Sequence, residues 1–597
     1  MPSYKAPVQD TLFLLNDVFH YQNYGNLPGF ADATIDVVEA VLEEAAKISE
    51  EVLQPINHSG DLEGCTRNAD ASVTTPKGFK QAYNAFKDGG WVGISAPAAF
   101  GGQGLPYVLG SAVMEYCASA NMAFTMYPGL SQGATAALLQ HGNDAQKAMF
   151  APKMISGEWT GTMNLTEPHC GTDLGLLKTK AVPKGDGTYA ITGQKIFISA
   201  GEHDMADNII HLVLARIEGA PQGTKGISLF LVPKFHVNAD GSLGARNPVS
   251  CGSIEHKMGI HANSTCVMNY DGAIGTLLGT ENKGLNAMFV MMNEARLGVA
   301  IQGLSLSEVA YQNAAAYAKD RLQGRSISGA KEPGKAADPI LVHPDVRRNL
   351  LSIRAFNEAA RALVIWTALK ADVVHHSTDE KTRQAAEDHL GLMTPILKGC
   401  LTDIGFDNCV KAQQMFGGHG YIGEWGMEQF VRDARIAMIY EGANGIQALD
   451  LVGRKLGLNG GRAVTTFFGE CAAFLKENEA DEAMKPYVAG LQKGVGHLQQ
   501  ATMWLMQNGL AKPDNAGAAS YDYMHMFGLV AFGLMWGKIA KAALARKAAD
   551  STQAATMDAK LMTGKFFFER MMPETGAHLA RINTGADTMM AMPADMF

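Results

Sequence analysis

Hydrophobic and polar positions follow two different rhythms along the chain. Between residues 31 and 140, apolar residues recur every three or four positions, as in Ile35, Val38 and Leu42. This spacing predicts amphipathic helices with one apolar face. The Gly- and Pro-rich stretch at 90–106 predicts a loop between two of these helices.

Around Trp159 the helical pattern gives way to short segments rich in β-branched and aromatic residues. Such segments, separated by turn-forming residues, are typical of strands. They lie at 187–199, 208–216, 226–234 and 265–272. Their close spacing leaves no room for crossover helices, which favours an antiparallel sheet over a doubly wound nucleotide-binding fold.

Helical patterns return at Gly284 and continue beyond it. A long apolar stripe covers 286–321, a Gly-, Pro- and Lys-rich loop follows at 326–339, and a second long helix is predicted to about Lys370. The turn residues at 459–461 then begin a further helical block rich in Met and Ala. Helices, then sheet, then helices predict a segregated α+β fold that is mainly helical.

These changes of pattern divide the 597-residue chain into five predicted segments. Several domains are expected, because a single hydrophobic core rarely exceeds about 250–300 residues. The segments are an N-terminal arm (1–34), an N-terminal helical domain (35–159), a middle antiparallel β domain (160–275), a helical bundle (276–457) and an additional C-terminal helical domain (458–597).

Composition and charge narrow the function classes. The net charge of −9 argues against a nucleic-acid binder, which needs a basic face. Eight scattered cysteines without a CxxC pair, and histidines without a zinc-binding spacing, predict no metal site. We expect no secretory signal and no membrane span, because the apolar run Met526–Gly537 is shorter than the roughly 18–20 residues required. The expected location is cytoplasmic.

Three motifs carry a resemblance to a known family. They are MNLTEPHCGTD at 163–173 followed by GQKIFIS at 193–199, NEARLGVA at 293–300, and QQMFGGHGYIGEWGMEQFVRDARIAMIYEGANGIQ at 413–447. In this order and spacing, the chain resembles the acyl-CoA dehydrogenase family from about residue 31 to 456. The resemblance implies an FAD enzyme that removes two hydrogens from a short acyl-CoA thioester.

The resemblance places the catalytic base at Glu441, the glutamate of IYEG. In the family this carboxylate takes the α-proton, and a hydride leaves the β-carbon for flavin N5. The thioester carbonyl is polarised by the base residue's own N–H and a flavin ribityl hydroxyl, an oxyanion-type stabilisation. Burial should raise the pKa of the carboxyl towards the operating pH, which suits a general base.

The NEARLGVA motif and the IYEG motif each imply one substrate contact. Arg296 aligns with a family arginine near the CoA moiety, with an ordinary helix salt bridge as the alternative, and Tyr440 is the second implied substrate-binding residue. Some members carry the base immediately before this arginine, where this chain has Ala295. Glu294 lies one residue off that position, about 100° around a helix, and is expected to be a surface charge.

The resemblance also implies flavin contacts in the first motif. Thr166 would meet the pyrimidine edge of the isoalloxazine, and Thr172 stands where the family contacts the pyrophosphate. Phe197 replaces the usual Trp packed on the flavin, and Ser199 replaces the usual Thr near N5. These exchanges keep a flat apolar face and a hydroxyl, although a strand phenylalanine more often belongs to a core.

A second set of contacts would reach the FAD of a partner subunit. Gly417 and Gly418 would let the backbone approach the adenylate, because glycine has no Cβ. Gln414 would add a polar contact, and Arg321 aligns with an arginine that reaches the partner's pyrophosphate. Asn444, beside a position where the family has a threonine, is the remaining implied cofactor contact. The active site would therefore depend on a homodimer.

The ends of the chain indicate a particular kind of member. The arm at 3–18 and the block at 561–575 are absent from compact members. With YEGANGIQALDLVGRKL (440–456) they resemble members that convert 3-methylmercaptopropionyl-CoA to methylthioacryloyl-CoA in dimethylsulfoniopropionate demethylation. The added domain is expected to limit assembly to a homodimer, and an electron-transfer flavoprotein is the expected electron acceptor.

Three alternatives stay open at this point. A general short- or medium-chain dehydrogenase of β-oxidation would share the motifs, because one methylene in a pocket is worth only about 1–3 kcal/mol. An acyl-CoA oxidase would pass electrons to O2 instead. A non-enzymatic relative that binds DNA or acts as a scaffold would need a basic surface or a lost base, whereas this chain is acidic and retains Glu441.

Overall fold

The structure is a computed structural model that describes residues 2–597 and contains two compact units. Unit 1 comprises the chain up to Glu43, Tyr107–Ser119 and Val299–Phe597, and unit 2 comprises Glu44–Pro106 and Ala120–Gly298. The predicted fold class is confirmed, because helices precede and follow a β domain. The five-segment division is not the division into these units, and it stays a prediction.

The N-terminal part of the chain is helical apart from one small hairpin. The loop predicted at 90–106 separates α4 from α5 and contains one 3-10 turn. The elements are α1 (Val8–Phe13), α2 (Ile35–Lys47), α3 (Asn57–Glu63), β1 (Thr66–Arg67), β2 (Val73–Thr74), α4 (Phe79–Asp88), α5 (Tyr107–His141) and α6 (Asp144–Ile155).

The β domain follows with a seven-stranded sheet and a two-stranded one. The strands are β3 (Trp159–Asn164), β4 (Lys180–Pro183), β5 (Thr188–Ser199), β6 (Asn208–Ile217), β7 (Ile227–Pro233), β8 (Phe235–Val237), β9 (Leu243–Arg246), β10 (Val249–Ile254) and β11 (Thr265–Leu278). The large sheet has the order β10-β11-β5-β4-β6-β3, with β7 pairing both β11 and β6.

The four predicted strands are observed as β5, β6, β7 and β11, and β11 is longer than predicted. The sheet is not wholly antiparallel, because β6 runs parallel to both β3 and β4. The sequence pattern did not predict these parallel pairs, because β3 and β4 are short strands without a clear alternation of apolar and polar residues. The near-continuous burial of β6 and β7 is typical of central strands.

Unit 2 also contains a core of aliphatic and sulfur-containing side chains. Met288 and Met291 are fully buried against Ala134 and Leu138 of α5. Their thioethers adapt to irregular gaps, which suits a contact between a long helix and a sheet.

Helices build most of unit 1. They are α7 (Gly284–Asp320), which contributes its residues from Val299 onward, α8 (Pro344–His376), α9 (Glu380–Met415), α10 (Gly418–Tyr421), α11 (Met427–Arg435) and α12 (Asn444–Asp450). The predicted loop at 326–339 is observed between α7 and α8. It is organised around Asp338, whose carboxylate accepts hydrogen bonds from the backbone N–H groups of Ser326, Lys331 and Glu332.

The additional C-terminal helices pack within the same unit. They are α13 (Arg462–Asn478), α14 (Lys485–Asn508), α15 (Pro513–Ala549), α16 (Ala554–Arg570), α17 (Glu574–Asn583) and α18 (Asp587–Met590). Helix α15 has the length and apolar composition of a membrane span, but 83% of its apolar window is buried inside the fold. Trp536 at its centre donates to the carbonyl of Ala355 at 3.0 Å, as expected for a core helix.

A buried ion cluster ties the N-terminal arm to the C-terminal helices. Arg361 contacts Asp10 at 2.5 Å, Glu115 at 2.7 Å and Glu308 at 3.0 Å. Lys560 of α16 contacts the other oxygen of Asp10. Burial would raise the pKa of Asp10, but the Lys560 and Arg361 charges outweigh it and lower this pKa to about 2.

We predict that Lys560→Met destabilises unit 1, because it removes one of the two cations that contact the buried Asp10, at a cost of up to about 3–5 kcal/mol. The stabilisation by Asp10 is present above its unfolded pKa of 3.8 and is lost as the pH falls towards about 2. The difference between variant and wild type should therefore shrink in that window. Denaturant unfolding at pH 7 and at low pH measures it.

The matched control is Lys565→Met on the same helix. The Lys565 side chain is 59% exposed, and its contact with Glu569 is long, at 3.7 Å. Its unfolding midpoint should stay close to the wild type. Equal effects of the two substitutions would contradict a role for the buried cluster.

Candidate active site

Glu441 lies in a tight loop between α11 and α12. A 3-10 turn at Ile436–Met438 follows α11, and the backbone then enters the left-handed region, with φ of 56° at Glu441 and 88° at Gly442. A Cβ on Gly442 would lie 2.6 Å from the amide nitrogen of Gln447, so this turn requires glycine at that position. The glutamate is half-buried.

Two buried side chains hold this loop through its carbonyl groups. Gln447 donates to the carbonyls of Glu441 and Gly442, each at 3.2 Å. The Lys398 ammonium donates to the Gly442 carbonyl at 2.7 Å. A left-handed non-glycine residue costs about 1–3 kcal/mol and persists only where its surroundings hold it. These bonds therefore fix the backbone of Glu441.

Tyr440 precedes the glutamate and is half-buried. Its hydroxyl donates a short hydrogen bond to the side-chain carbonyl of the buried Gln302. Burial, with a smaller contribution from the Glu441 charge, raises the pKa of Tyr440 well above its usual range, so the phenol stays neutral. Because its hydroxyl is engaged, the predicted substrate contact would use the ring.

Asn444 at the start of α12 is buried, and its side chain is fully engaged inside the protein. Its amide nitrogen donates to Thr402 at 2.9 Å and to Asp403 at 2.6 Å. Its amide oxygen accepts from Lys398 at 2.8 Å. The predicted cofactor contact of Asn444 is therefore left to its backbone, and it stays a prediction.

Unit 2 brings Thr166, Phe197 and Ser199 to neighbouring positions. The backbone N–H of Ile196 donates to the Thr166 carbonyl at 2.9 Å, and the Thr162 hydroxyl donates to the Ser199 carbonyl at 2.6 Å. The end of β3 and the residues after it therefore lie beside the last residues of β5. Within residues 2–597 the Thr166 and Ser199 hydroxyls make no hydrogen bond to protein.

The Phe197 ring is not part of a core, although a strand phenylalanine usually is. Its φ is 59° and the residue is 60% exposed. An open aromatic face beside two unpaired hydroxyls fits a planar heteroaromatic ring with polar edges, such as a flavin. Thr172, the predicted pyrophosphate contact, is exposed in the segment that follows β3.

A separate surface in unit 1 surrounds Gly417 and Gly418. No atom beyond the chain neighbours lies within 4 Å of a Cβ built on either glycine. Two aromatic stacks stand beside them, Tyr317 on Phe416 at 4.1 Å and His419 on Trp425 at 4.4 Å.

These glycines, like Gln414 and Arg321, are exposed. Arg321 follows Tyr317 of this surface by four residues, and an exposed arginine together with an open glycine backbone fits a phosphate-containing ligand. The sequence analysis did not predict that Tyr317 and Trp425 contribute aromatic rings to this surface. The only sequence signal was the density of aromatic residues that follow the two glycines.

Glu294 and Arg296 lie on the first half of α7. Arg296 is half-buried, and its guanidinium approaches the Asn293 side chain at 3.5 Å. The prediction that Glu294 is a surface charge is wrong, because burial raises its pKa to about 7. Glu294 follows Ala287 by seven residues and Met291 by three, so it continues the apolar stripe of the helix.

Three side chains of metal-ligating types, Glu167, His169 and Cys170, lie close together in unit 2, with ligand atoms within 4.8 Å of one another. The Glu167 carboxylate already accepts from Lys195 at 2.8 Å and from Thr179 at 2.6 Å. The buried Lys195 ammonium therefore already pairs with the carboxylate of this group.

Comparisons with known proteins identify the family to which the chain belongs. The family described as acyl-CoA dehydrogenase matches with its N-terminal domain at residues 37–158, its middle domain at 162–273 and its C-terminal domain at 282–456. A fourth family, described as acetyl-CoA dehydrogenase C-terminal like, matches residues 467–593.

Relatives match over almost the whole chain. A 3-methylmercaptopropionyl-CoA dehydrogenase of Ruegeria pomeroyi is 41% identical, covering 98% of this chain and 99% of its own length. A butyryl-CoA dehydrogenase of Syntrophomonas wolfei is 33% identical over 94% of each chain. The crystal structure of an acyl-CoA dehydrogenase complexed with FAD from Bacillus anthracis has a TM-score of 0.76 at 20% identity, covering 100% of this chain and 94% of that one, and shows the shared fold.

We predict that Glu294→Gln stabilises the protein at high pH. The folded pKa of about 7 lies above the ordinary value of 4.5, so wild-type stability falls as the pH rises from 4.5 to about 7 and stays lower beyond it. Glutamine removes the buried charge and should raise stability by about 1–2 kcal/mol at pH 8, with little change at pH 5. Thermal unfolding at the two pH values measures this, and a pH-independent effect would contradict it.

Proposed function

Because the chain belongs to the acyl-CoA dehydrogenase family, we propose that it dehydrogenates a short acyl-CoA thioester, 3-methylmercaptopropionyl-CoA, with Glu441 as the catalytic base. The observation that carries the base assignment is the left-handed backbone of Glu441, held by Gln447 and Lys398. FAD is the cofactor of the family, and when bound it supplies the acceptor for the β-hydrogen. Acyl-CoA dehydrogenase activity itself follows from the family.

The Glu441 carboxylate takes the proton from the α-carbon of the thioester. Its fixed backbone limits the reach of the side chain to one small region, which lowers the entropic cost of the proton transfer. The N–H of the same residue is the donor proposed for the thioester carbonyl, where negative charge develops. A single held residue would thus provide both the base and an oxyanion donor.

Other residues would serve the proton transfer indirectly. The neutral Tyr440 phenol is tied to Gln302, so its ring provides an apolar wall that does not compete for the proton. Arg296 is the candidate for a contact with the CoA moiety, as a charged group on the half-buried side of α7. Thr166, Phe197 and Ser199 would hold the isoalloxazine, and Thr172 the pyrophosphate.

The methylthio substrate is favoured by the relative from Ruegeria pomeroyi, which is 41% identical and matches the arm and the additional domain as well. The butyryl-CoA dehydrogenase is more distant at 33%. Sulfur is nearly isosteric with a methylene, and butyryl-CoA is one chain atom shorter than the methylthio substrate, so a pocket for one should accept the other with a difference of about 1–3 kcal/mol.

The assembly and the electron acceptor complete the proposal. The exposed surface around Gly417, Gly418 and Arg321 would bind the adenylate and pyrophosphate of a partner's FAD in a homodimer. An electron-transfer flavoprotein would then collect the electrons, and the reaction would take place in the cytoplasm.

We predict that Glu441→Gln retains FAD but loses the anaerobic bleaching of the flavin by substrate. The exchange keeps the size of the side chain and removes only its basicity, which should slow reduction by about 10²–10⁴-fold or more. Absorbance of the yellow holoenzyme after mixing with 3-methylmercaptopropionyl-CoA measures the rate.

Glu294→Gln is the matched control. It changes the carboxyl that lies one residue before Ala295, the position at which some family members carry the base. This control should bleach at close to the wild-type rate. Bleaching that survives in Glu441→Gln and disappears in Glu294→Gln would mean that the base is misassigned.

A panel of acyl-CoA thioesters tests the substrate. We predict that kcat/KM is highest for the methylthio thioester, followed within about 10–200-fold by butyryl-CoA, with longer chains below both. Turnover should require an artificial acceptor or an electron-transfer flavoprotein, with little peroxide. A preference for long chains would contradict the proposed substrate, and stoichiometric peroxide would indicate an oxidase.

A further inference from the structure

Asp403 of α9 lies between the additional C-terminal helices and the catalytic loop. Its side chain is only 9% exposed. One carboxylate oxygen accepts from the Tyr521 hydroxyl at 2.5 Å and lies 2.9 Å from Nε2 of His525, both on α15. The other oxygen accepts from Asn444 at 2.6 Å. Asp403 therefore contacts α15 and Asn444, at the start of α12, at the same time.

A continuous set of hydrogen bonds leads from Asp403 to the Glu441 loop, at the carbonyl of Gly442. The Asn444 amide oxygen accepts from the Lys398 ammonium at 2.8 Å. The same ammonium donates to the Gly442 carbonyl at 2.7 Å, one residue after the base. Asn444 and Lys398 are buried, so water cannot easily replace these partners.

The orientation of the Asn444 amide depends on the charge of Asp403. Burial would raise the pKa of Asp403, but the hydrogen bonds from His525 and Tyr521 outweigh it and hold this pKa below its ordinary value. An ionised carboxylate only accepts hydrogen bonds, so the amide NH2 must face Asp403. The amide oxygen then faces Lys398, which accounts for the observed pairing.

Close helix packing keeps the two sides in register. A Cβ on Gly399 of α9 would lie 2.4 Å from Sδ of Met524, and a Cβ on Gly528 of α15 would lie 2.6 Å from Sγ of Cys400. Glycine at both positions lets the helices approach each other closely. A displacement of α15 is therefore expected to displace α9 as well, because the two helices are in close contact at these positions.

We propose that Asp403, held by Tyr521 and His525 of the additional domain, is a positioning residue for the Glu441 loop. The additional domain thereby takes part in catalysis although none of these residues touches the reacting atoms. The inference rests on the proposed function in so far as Glu441 is the base.

The test compares variants of holoenzyme that differ only in this network. Tyr521→Phe removes one hydroxyl from a side chain that is 46% exposed, and Tyr521→Phe with His525→Gln removes both α15 contacts of Asp403. The matched control Tyr523→Phe removes a hydroxyl two residues away, where it meets Thr502 at 2.8 Å inside the additional domain. His497→Gln, which loses its contact with Thr575 at 2.9 Å, controls for the histidine.

Two readouts separate positioning from general damage. For the test variants, kcat should fall by about 10- to 100-fold, as expected for a misplaced base, with KM and FAD content within about twofold of wild type. Backbone hydrogen–deuterium exchange of the segment 439–447 should rise in the same variants. The controls should leave both readouts at the wild-type values, even where they lower the unfolding temperature.

Each outcome decides the question. Equal kcat and equal exchange in test and control variants would overturn the positioning role. Faster exchange at 439–447 in a protein that oxidises no acyl-CoA would keep the network and reject the proposed function. Should the double variant fail to fold, Tyr521→Phe against Tyr523→Phe still gives the comparison, because each removes a single oxygen atom.

Discussion

The left-handed backbone of Glu441 is the constraint on which the rest of the site depends. A glutamate resists this conformation at a cost of about 1–3 kcal/mol, and the buried Gln447 and Lys398 offset it with three hydrogen bonds to the loop carbonyls. A base on a mobile loop would lose most of the advantage of being bound next to its substrate. The strained backbone therefore holds the proposed base in one position.

The additional C-terminal helices are part of the same compact unit as the Glu441 loop. They contribute Lys560 to the buried ion cluster around Asp10, and Tyr521 and His525 to the surroundings of Asp403. Buried ion pairs of this kind add little net stability but are costly to break, so they specify one arrangement of the elements. The added helices thus complete the interior of the helical unit.

Sequence reasoning predicted much of the fold but little of what holds the site. The motif around IYEG predicts Glu441 as the base, which stays a prediction, and the alternation of β-branched residues identified β5, β6, β7 and β11. Lys398 and Asp403 went unnoticed, because they meet the loop across 44 and 41 residues of chain and belong to no short motif. The exposure of Glu294 was predicted wrongly. Its offset from Ala295 gives its direction relative to that residue but does not reveal which side of α7 faces the core.

The most direct test of the central claim is the exchange of the α-hydrogen of a bound acyl-CoA with D2O, followed by mass spectrometry under anaerobic conditions. We expect that wild-type holoenzyme incorporates deuterium at the α-carbon and that Glu441→Gln does not, while both bind the thioester. Equal incorporation by the two proteins would contradict the assignment of Glu441 as the base.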